Sequence, residues 1–227
     1  MSLKVHVWSD VACPWCYIGK RRLEAAVEKF GDQVEVEWHS FELDPKRGPR
    51  PRVGHAEMLA KKYGVPEARA QSMIDNVTRV AAQDGLDFQL EKSVPASTFD
   101  AHRLIQLARA RGKQPELEER LFRAYFTEGV DVASASELTR LGADAGLDVD
   151  EIAAVLASDD FSDEVQQDKD AARELGITGV PFFVIGRYGV SGAQPAEQLL
   201  QVLDRANAEQ LVEPEFAEGA ACGPDGC

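Results

Sequence analysis

Two close pairs of cysteines are the residues best suited to chemistry in this 227-residue chain. Cys13 and Cys16 form a C-x-x-C sequence with Pro14 and Trp15 between them, and Cys222 and Cys227 end the chain. A C-x-x-C pair can close a disulfide, exchange it with another thiol or bind a metal ion. The elements around each pair must decide between these chemistries.

The first pair lies between a predicted strand and a predicted helix. Alternating apolar residues over 3–7 predict a half-buried strand, and an apolar stripe over 14–30 predicts a helix. Cys13 then stands at the helix start, where unpaired N–H groups and the helix dipole stabilise a thiolate. Cys16 lies almost one turn later, on the buried stripe. We therefore predict that Cys13 is an outward-facing nucleophile and that Cys16 is the buried thiol that resolves the mixed disulfide.

The rest of the chain predicts an α/β unit that is interrupted by helices. A second strand is predicted from Val34 to Leu43, and the basic, proline-rich stretch 44–52 predicts a linker. A hairpin over 180–191 and a helix opened by Pro195 follow much later. Between them, helices are predicted over 55–63, 66–84, 99–111, 115–128, 136–145, 149–157 and 161–175, with a glycine at most of their ends.

This order of elements predicts four parts. Residues 1–50 and 165–210 would form one sheet covered by helices, and residues 51–164 would form a helical insertion. The last part, residues 211–227, is predicted to be a flexible tail that carries the second cysteine pair. The length beyond one ordinary domain is then explained by the insertion rather than by a second independent domain.

The terminal pair flanks Gly-Pro-Asp-Gly, a sequence typical of a tight turn, so Cys222 and Cys227 can fold back onto each other. Short spacing favours the pairs Cys13–Cys16 and Cys222–Cys227. One hypothesis is that the tail is a tethered redox partner of the first pair, since a short flexible tether gives a thiol a high effective concentration. A redox-inert or metal-scavenging tail is the alternative.

The first pair has two alternative interpretations. All four cysteines together could form a zinc site in a non-catalytic protein. The helix that follows the first pair disfavours this hypothesis, because zinc-binding C-x-x-C pairs favour turn residues. A purely structural disulfide is less favoured still in a reducing compartment.

Four segments of the chain carry a specific resemblance. They are SDVACPWCYIGKRR over 9–22, FELDP over 41–45, STFDAHRL over 97–104 and GVPFF over 179–183. They resemble the FrnE branch of the DsbA-like thioredoxin superfamily, and the similarity covers about residues 3 to 208. It implies a thioredoxin fold interrupted by a large all-helical insertion and a thiol–disulfide oxidoreductase or protein disulfide isomerase activity.

The resemblance also implies a substrate groove. Pro181 would be cis and lie beside the C-x-x-C, so that the backbone of Val180 can pair with an extended substrate peptide. Pro14 and Trp15 would complete that groove. The same branch contains glutathione-dependent 2-hydroxychromene-2-carboxylate isomerases and kappa-class glutathione transferases, which carry serine where Cys13 stands. Two cysteines favour redox chemistry, and the glutathione-linked activity is kept as the alternative.

Composition narrows the partners. The net charge of −14 argues against binding to nucleic acid or to a membrane surface. A start without a signal-peptide pattern and the lack of a long apolar run favour a cytoplasmic protein. We expect thiol- or disulfide-containing proteins or peptides as partners, with glutathione as a further candidate, and a monomer or dimer. No cofactor and no metal site are expected, because no His/carboxylate cluster stands at metal spacing in the sequence.

The sequence also predicts the surroundings of His39, His102 and Lys20. His39 could accept the Cys16 proton or could simply face solvent at the end of its strand. His102 was expected on a helix facing the groove, with no catalytic role. Lys20, four residues after Cys16, was expected to be a solvated lysine.

Overall fold

A computed structural model describes residues 2–31, 33–45 and 55–210 of the chain. Four strands form one sheet in the order β2-β1-β3-β4. Strands β1 and β2 are parallel, and the β1–β3 and β3–β4 pairs are antiparallel. The strands are β1 (Leu3–Ser9), β2 (Val34–Ser40), β3 (Phe182–Ile185) and β4 (Tyr188–Ser191). Two segments far apart in sequence therefore build one sheet, as predicted.

Helices cover both faces of this sheet. Alternation along β1 directs Leu3, Val5 and Val7 into a core with α1 (Pro14–Phe30) and α9 (Ala196–Gln210). On the opposite face, α8 (Ser162–Glu174) packs against Trp8. The α/β architecture of the predicted fold class is thereby confirmed.

The insertion between β2 and β3 is helical. Its elements before α8 are α2 (His55–Tyr63), α3 (Glu67–Gln83), α4 (Phe99–Ala110), α5 (Gln114–Arg123), a π-helical turn (Ala124–Glu128), α6 (Ala135–Asp144) and α7 (Val149–Ala157). Their core includes residues of the first turns of α1: Cys13, Cys16, Tyr17 and Ile18. The two motif cysteines thus pack with the insertion, separately from the sheet core.

Two predicted elements differ from the structure. Strand β2 ends at Ser40, not at Leu43, because the Leu43 N–H donates to the buried Asp10 carboxylate at 2.7 Å and the chain leaves the sheet. The helix predicted over 115–128 changes its hydrogen-bond spacing after Arg123, and the Gly129 N–H closes the π-helical turn on the Ala124 carbonyl.

Some predictions fall on residues that the structure does not describe. Residues 46–52 of the predicted linker and the whole tail, with Cys222 and Cys227, lie outside the described residues. Within the described part of the chain, no helix combines the length and the apolar character needed to cross a lipid bilayer.

Candidate active site

Backbone geometry places the two motif cysteines side by side at the start of α1. Cys13 is the last extended residue before the helix, with φ −95° and ψ 111°. Its N–H donates to the Asp10 carbonyl at 2.9 Å, and the Cys16 N–H donates to the Cys13 carbonyl at 3.0 Å. Both cysteines are free thiols in the structure. Pro14 suits the first helical position because the helix needs no N–H from it.

Exposure separates the two cysteines less than predicted. Cys13 is 3% exposed and Cys16 is 0% exposed, so the expectation of an outward-facing Cys13 is wrong. The insertion accounts for this burial, since its helices share a core with both residues. Access to the two thiols nevertheless differs, because Cys13 is among the residues that line the cavity described below, whereas Cys16 is not.

Its environment makes Cys16 less acidic than an ordinary thiol. Burial raises the pKa of Cys16 well above its usual value, and the hydrogen bond and charge of Cys13 raise it further. The backbone N–H of Asp10 and the side chain of Ser9 act weakly in the opposite direction. Cys16 is therefore held as a protonated thiol while Cys13 is reduced.

The loop before β3 contacts Cys13 directly. The Val180–Pro181 peptide bond is cis, and the Cys13 thiol donates to the Val180 carbonyl oxygen at 3.5 Å. A Cβ atom at Gly19 would lie 3.0 Å from Pro181 Cγ and 3.1 Å from Phe183 Cζ. Glycine at position 19 thus lets α1 approach this loop. This role of Gly19 was not predicted, although a glycine inside a helical pattern is itself a signal of close packing.

A cavity of about 380 Å³ opens over Cys13. Its walls come from the C-x-x-C segment, the residues after β2, helices α2 and α3, and the loop before β3. The main lining residues are Cys13, Pro14, Trp15, Leu43, Met58, Leu59, Lys62, Tyr63, Met73, Ile74, Val77, Tyr125 and Val180. Six of the predicted site residues lie in the described part of the chain. Cys13, Pro14, Trp15 and Val180 line this cavity, and Cys16 and Pro181 do not.

The rim of this cavity is unusually apolar. Six large hydrophobic side chains are exposed in the described part of the chain, and four of them line the cavity. These four are Trp15, Leu43, Tyr63 and Met73, with exposed fractions between 38% and 55%. Exposed apolar side chains that gather around one opening mark a binding surface for an apolar ligand or polypeptide.

Asp10 is a buried site residue that the sequence analysis did not single out. Its carboxylate accepts hydrogen bonds from the N–H groups of Ala12, at 3.1 Å, and Leu43, at 2.7 Å. The Nε2 atom of the buried His102 lies 3.6 Å from Asp10 Oδ1, at ion-pair distance. Burial raises the pKa of Asp10, but His102 and the two N–H donors together lower it below its usual value.

A second buried acid, Glu118 on α5, completes this group. Burial raises the pKa of Glu118 to about 7, although the charges of His102 and Lys20 lower it and that of Asp10 raises it. Its Oε2 atom has no hydrogen-bond partner in the structure. His102 is fully buried beside these acids rather than facing the groove. Burial lowers its pKa and the two interactions with Asp10 raise it, with a net increase.

Lys20 and His39 also lie in surroundings that differ from those predicted. Lys20 is 5% exposed rather than solvated, and its ammonium group bonds to Glu24 and, at 2.8 Å, to Glu119. His39 neither reaches Cys16 nor faces solvent: its Nδ1 atom lies 2.6 Å from Asp168 Oδ1. The protein groups that act on the Cys16 thiol are Cys13, Asp10 and Ser9.

Comparison with known proteins agrees with this geometry. The family described as DSBA-like thioredoxin domain matches residues 4–204 of the chain. The chain belongs to this family. The fold, with its sheet and its helical insertion, is that of a DsbA-like thioredoxin protein.

Individual relatives extend the comparison. The solved structure of the probable DsbA oxidoreductase SCO1869 from Streptomyces coelicolor is 44% identical, with a TM-score of 0.88, and the match covers 99% of this chain and 98% of that one. The uncharacterized protein YwbO of Bacillus subtilis is 31% identical over 85% of this chain and 92% of its own length. The cytosolic disulfide reductase DsbM from Pseudomonas aeruginosa, solved with GSH, shares the fold at 20% identity and a TM-score of 0.61, over 92% of this chain and 97% of that one.

Proposed function

We propose that this DsbA-like protein is a thiol–disulfide oxidoreductase that exchanges disulfides with cysteine-containing proteins or peptides. Cys13 is the nucleophile, Cys16 is the resolving thiol, and Pro14, Trp15, Val180 and Pro181 shape the substrate groove. The observation that carries the proposal is the position of Cys13 in a cavity whose rim holds four of the six exposed large apolar side chains in the described part of the chain. A partly unfolded polypeptide presents both a cysteine and apolar side chains to such a surface.

The reaction proceeds in two exchanges. In the reductive direction, the Cys13 thiolate attacks one sulfur of a substrate disulfide, a mixed disulfide forms, and one substrate thiolate leaves and takes up a proton. The Cys16 thiol then loses its proton, and its thiolate attacks Cys13 Sγ. This step closes the Cys13–Cys16 disulfide and releases the second substrate thiolate. Oxidation of a substrate is the same sequence in reverse.

The environment of Cys16 orders these two steps. Two of the causes that raise its pKa are the hydrogen bond and the charge of Cys13. Both disappear once the Cys13 sulfur is bonded to substrate, so the pKa of Cys16 falls in the mixed disulfide. Cys16 thus becomes a thiolate more easily in the mixed disulfide, where it must attack Cys13 Sγ. Before that step it stays protonated and is a poor nucleophile.

Glutathione is the small thiol that we propose as a co-substrate. DsbM, which shares this fold, was solved with GSH. In this protein, Lys62 lines the cavity that holds Cys13 and could pair with a glutathione carboxylate.

We also propose that the reaction takes place in the cytoplasm, that Cys222 and Cys227 act as a tethered redox partner, and that the protein falls in the FrnE branch.

Reduction of insulin by glutathione or dithiothreitol tests the redox assignment. We expect Cys13→Ser to lose the catalysed rate altogether, because no thiolate remains to attack the substrate. Cys16→Ser should lose turnover and instead accumulate a substrate–Cys13 mixed disulfide that non-reducing electrophoresis and mass spectrometry detect.

The same variants separate redox chemistry from the glutathione-linked alternative. If the protein isomerises 2-hydroxychromene-2-carboxylate with glutathione, and Cys13→Ser retains that turnover, the redox proposal is wrong. Equal insulin reduction by the wild type and Cys13→Ser would contradict it as well.

A further inference from the structure

A cluster of two histidines and a glutamate lies on the sheet, on the face opposite α1 and α9. The parallel register places His6 of β1 opposite Glu37 of β2, and His39 is the next residue of β2 on that face. His6 Nδ1 lies 3.0 Å from His39 Nε2 and 3.9 Å from Glu37 Oε2. His39 Nε2 lies 3.6 Å from Glu37 Oε1. One ligand-type atom from each side chain thus falls within 4.8 Å of the other two.

The far side of His39 fixes which of its nitrogens carries the proton. Asp168 Oδ1 lies 2.6 Å from His39 Nδ1, and Asp168 Oδ2 accepts hydrogen bonds from the Ser40 N–H and the Gln106 amide. A carboxylate with these donors acts only as an acceptor, so the proton belongs to His39 Nδ1. The lone pair of His39 Nε2 then points at His6. A carboxylate behind the ring is the arrangement that orients metal-binding histidines.

The two histidines have a competing interaction. Without an ion, His6 Nδ1–H can donate to His39 Nε2 across 3.0 Å, so a bound ion would replace this hydrogen bond.

We propose that His6, Glu37 and His39 form a binding site for a divalent transition-metal ion, with Zn²⁺ as its representative. Two imidazoles and one carboxylate are ligands that zinc prefers, and three protein ligands leave one position for water. The site uses no cysteine and lies apart from the residues of the proposed disulfide exchange. It goes beyond that function and does not depend on it.

Arg109 sets a condition for binding. Its guanidinium group pairs with Glu37, which keeps a positive charge beside the cluster. The Arg109 side chain is 45% exposed, so it can turn into solvent when Glu37 binds the ion. Removing this competing cation should therefore strengthen metal binding, an effect that a purely structural ion pair does not predict.

Competition with a chromophoric zinc chelator tests the site in the full-length chain. All four cysteines are changed to serine in this parent protein, because thiolates also bind zinc. We expect one Zn²⁺ per chain at micromolar metal. His6→Ala and His39→Ala should each weaken binding by more than about tenfold, at least the scale seen when second-shell partners are lost. Glu37→Gln should also weaken it, and Arg109→Ala should strengthen it several-fold.

Two control variants change the same residue types outside the cluster. Glu35→Gln alters the preceding glutamate on the same face of β2, and His55→Ala removes a histidine from α2; both should bind zinc like the parent. Far-UV circular dichroism checks the fold of each variant. If His39→Ala does not fold, His6→Ala decides, since the His6 side chain is 35% exposed. No zinc bound by the thiol-free parent, or equal binding by the histidine variants, would overturn the proposal.

Discussion

Cys16 and Glu118 are both buried acids, and burial raises the pKa of each. For Cys16 the raised pKa suits the proposed role of resolving thiol, because the thiol stays protonated until the mixed disulfide forms. For Glu118 it has a consequence for stability. In the unfolded chain Glu118 has its ordinary pKa of 4.5, whereas in the folded protein its pKa is about 7. Between these two values the folded state binds one proton more than the unfolded state, so this residue lowers stability as pH rises.

We therefore predict that Glu118→Gln raises the free energy of unfolding at pH 8 and leaves it little changed at pH 4. The shift of the Glu118 pKa corresponds to roughly 3 kcal/mol between these limits. Urea unfolding at a series of pH values measures the effect. Glu116→Gln, an exposed neighbour on the same helix, is the matched control and should not alter the pH profile. An unchanged profile in Glu118→Gln would show that this carboxyl is ionised at no cost in the folded protein.

Glu119, the next residue, behaves in the opposite way. Burial raises its pKa, but hydrogen bonds from Arg21, Lys20 and Tyr17 lower it to about 2. Its contribution to stability is thus present above the ordinary pKa and is lost as the pH falls toward 2. Adjacent residues of one helix therefore respond to pH with opposite signs, which the sequence Glu118-Glu119 alone could not indicate.

Residue types near the motif were predictable, but their partners were not. The sequence located Cys13 and Cys16 at a helix start because strand, turn and helix signals are local. The burial of Cys13 and the pairing of Asp10 with His102 depend on helices roughly a hundred residues away along the chain. The cluster of His6, Glu37 and His39 was missed because its spacing exists only across two strands in register.

At the scale of elements, α1 packs closely at Gly19 against Pro181 in the loop before β3 and against Phe183. We predict that Gly19→Ala displaces Pro181 or Phe183, since the new Cβ would be 3.0 to 3.1 Å from both. The expected cost is about 1–3 kcal/mol, as for other overpacked core positions. Insulin reduction should fall because the Val180 carbonyl moves relative to Cys13.

Gly179→Ala is the control for this change. It adds the same methyl group to the same loop, where no atom lies within 4 Å and φ is not positive. Its unfolding midpoint and its rate of insulin reduction should match those of the wild type. If Gly19→Ala also matched the wild type in both measurements, close packing at position 19 would have no role in the site.

Element ends were predictable wherever a glycine imposes them. The glycines expected to end helices all have positive φ angles: Gly64, Gly85, Gly112, Gly129, Gly146 and Gly176. The end of β2 was placed wrongly because no local residue imposes it. The chain turns there to bring the Leu43 N–H to Asp10, which is a tertiary interaction.

At the scale of the whole molecule, the proposed tail reaction connects the two cysteine pairs. We predict that the full-length Cys16→Ser variant, oxidised without added substrate, accumulates a disulfide from Cys13 to Cys222 or Cys227. Peptide mapping under non-reducing conditions identifies it. Serine at position 16 cannot attack such a bond at Cys13 Sγ, and the yield of the product should not depend on protein concentration, as expected of an intramolecular reaction.

The matched control carries Cys222→Ser and Cys227→Ser in addition to Cys16→Ser. This variant should give no internal disulfide under the same conditions. If the variant with an intact tail also forms none, the tail is redox-inert toward Cys13. The insulin assay tests the first pair separately, because Cys13→Ser removes the proposed nucleophile whatever the tail does.

Both motif cysteines pack in the core of the insertion, so the insertion cannot be exchanged without changing their surroundings. A designer who replaced the insertion with the corresponding helices of a distant relative would keep every residue of the C-x-x-C and of the sheet. The neighbours of Cys16, Tyr17 and Ile18 would nevertheless change. We therefore expect the pKa of the Cys16 thiol to follow the donor of the helices rather than the donor of the motif, because burial is the largest cause of its rise.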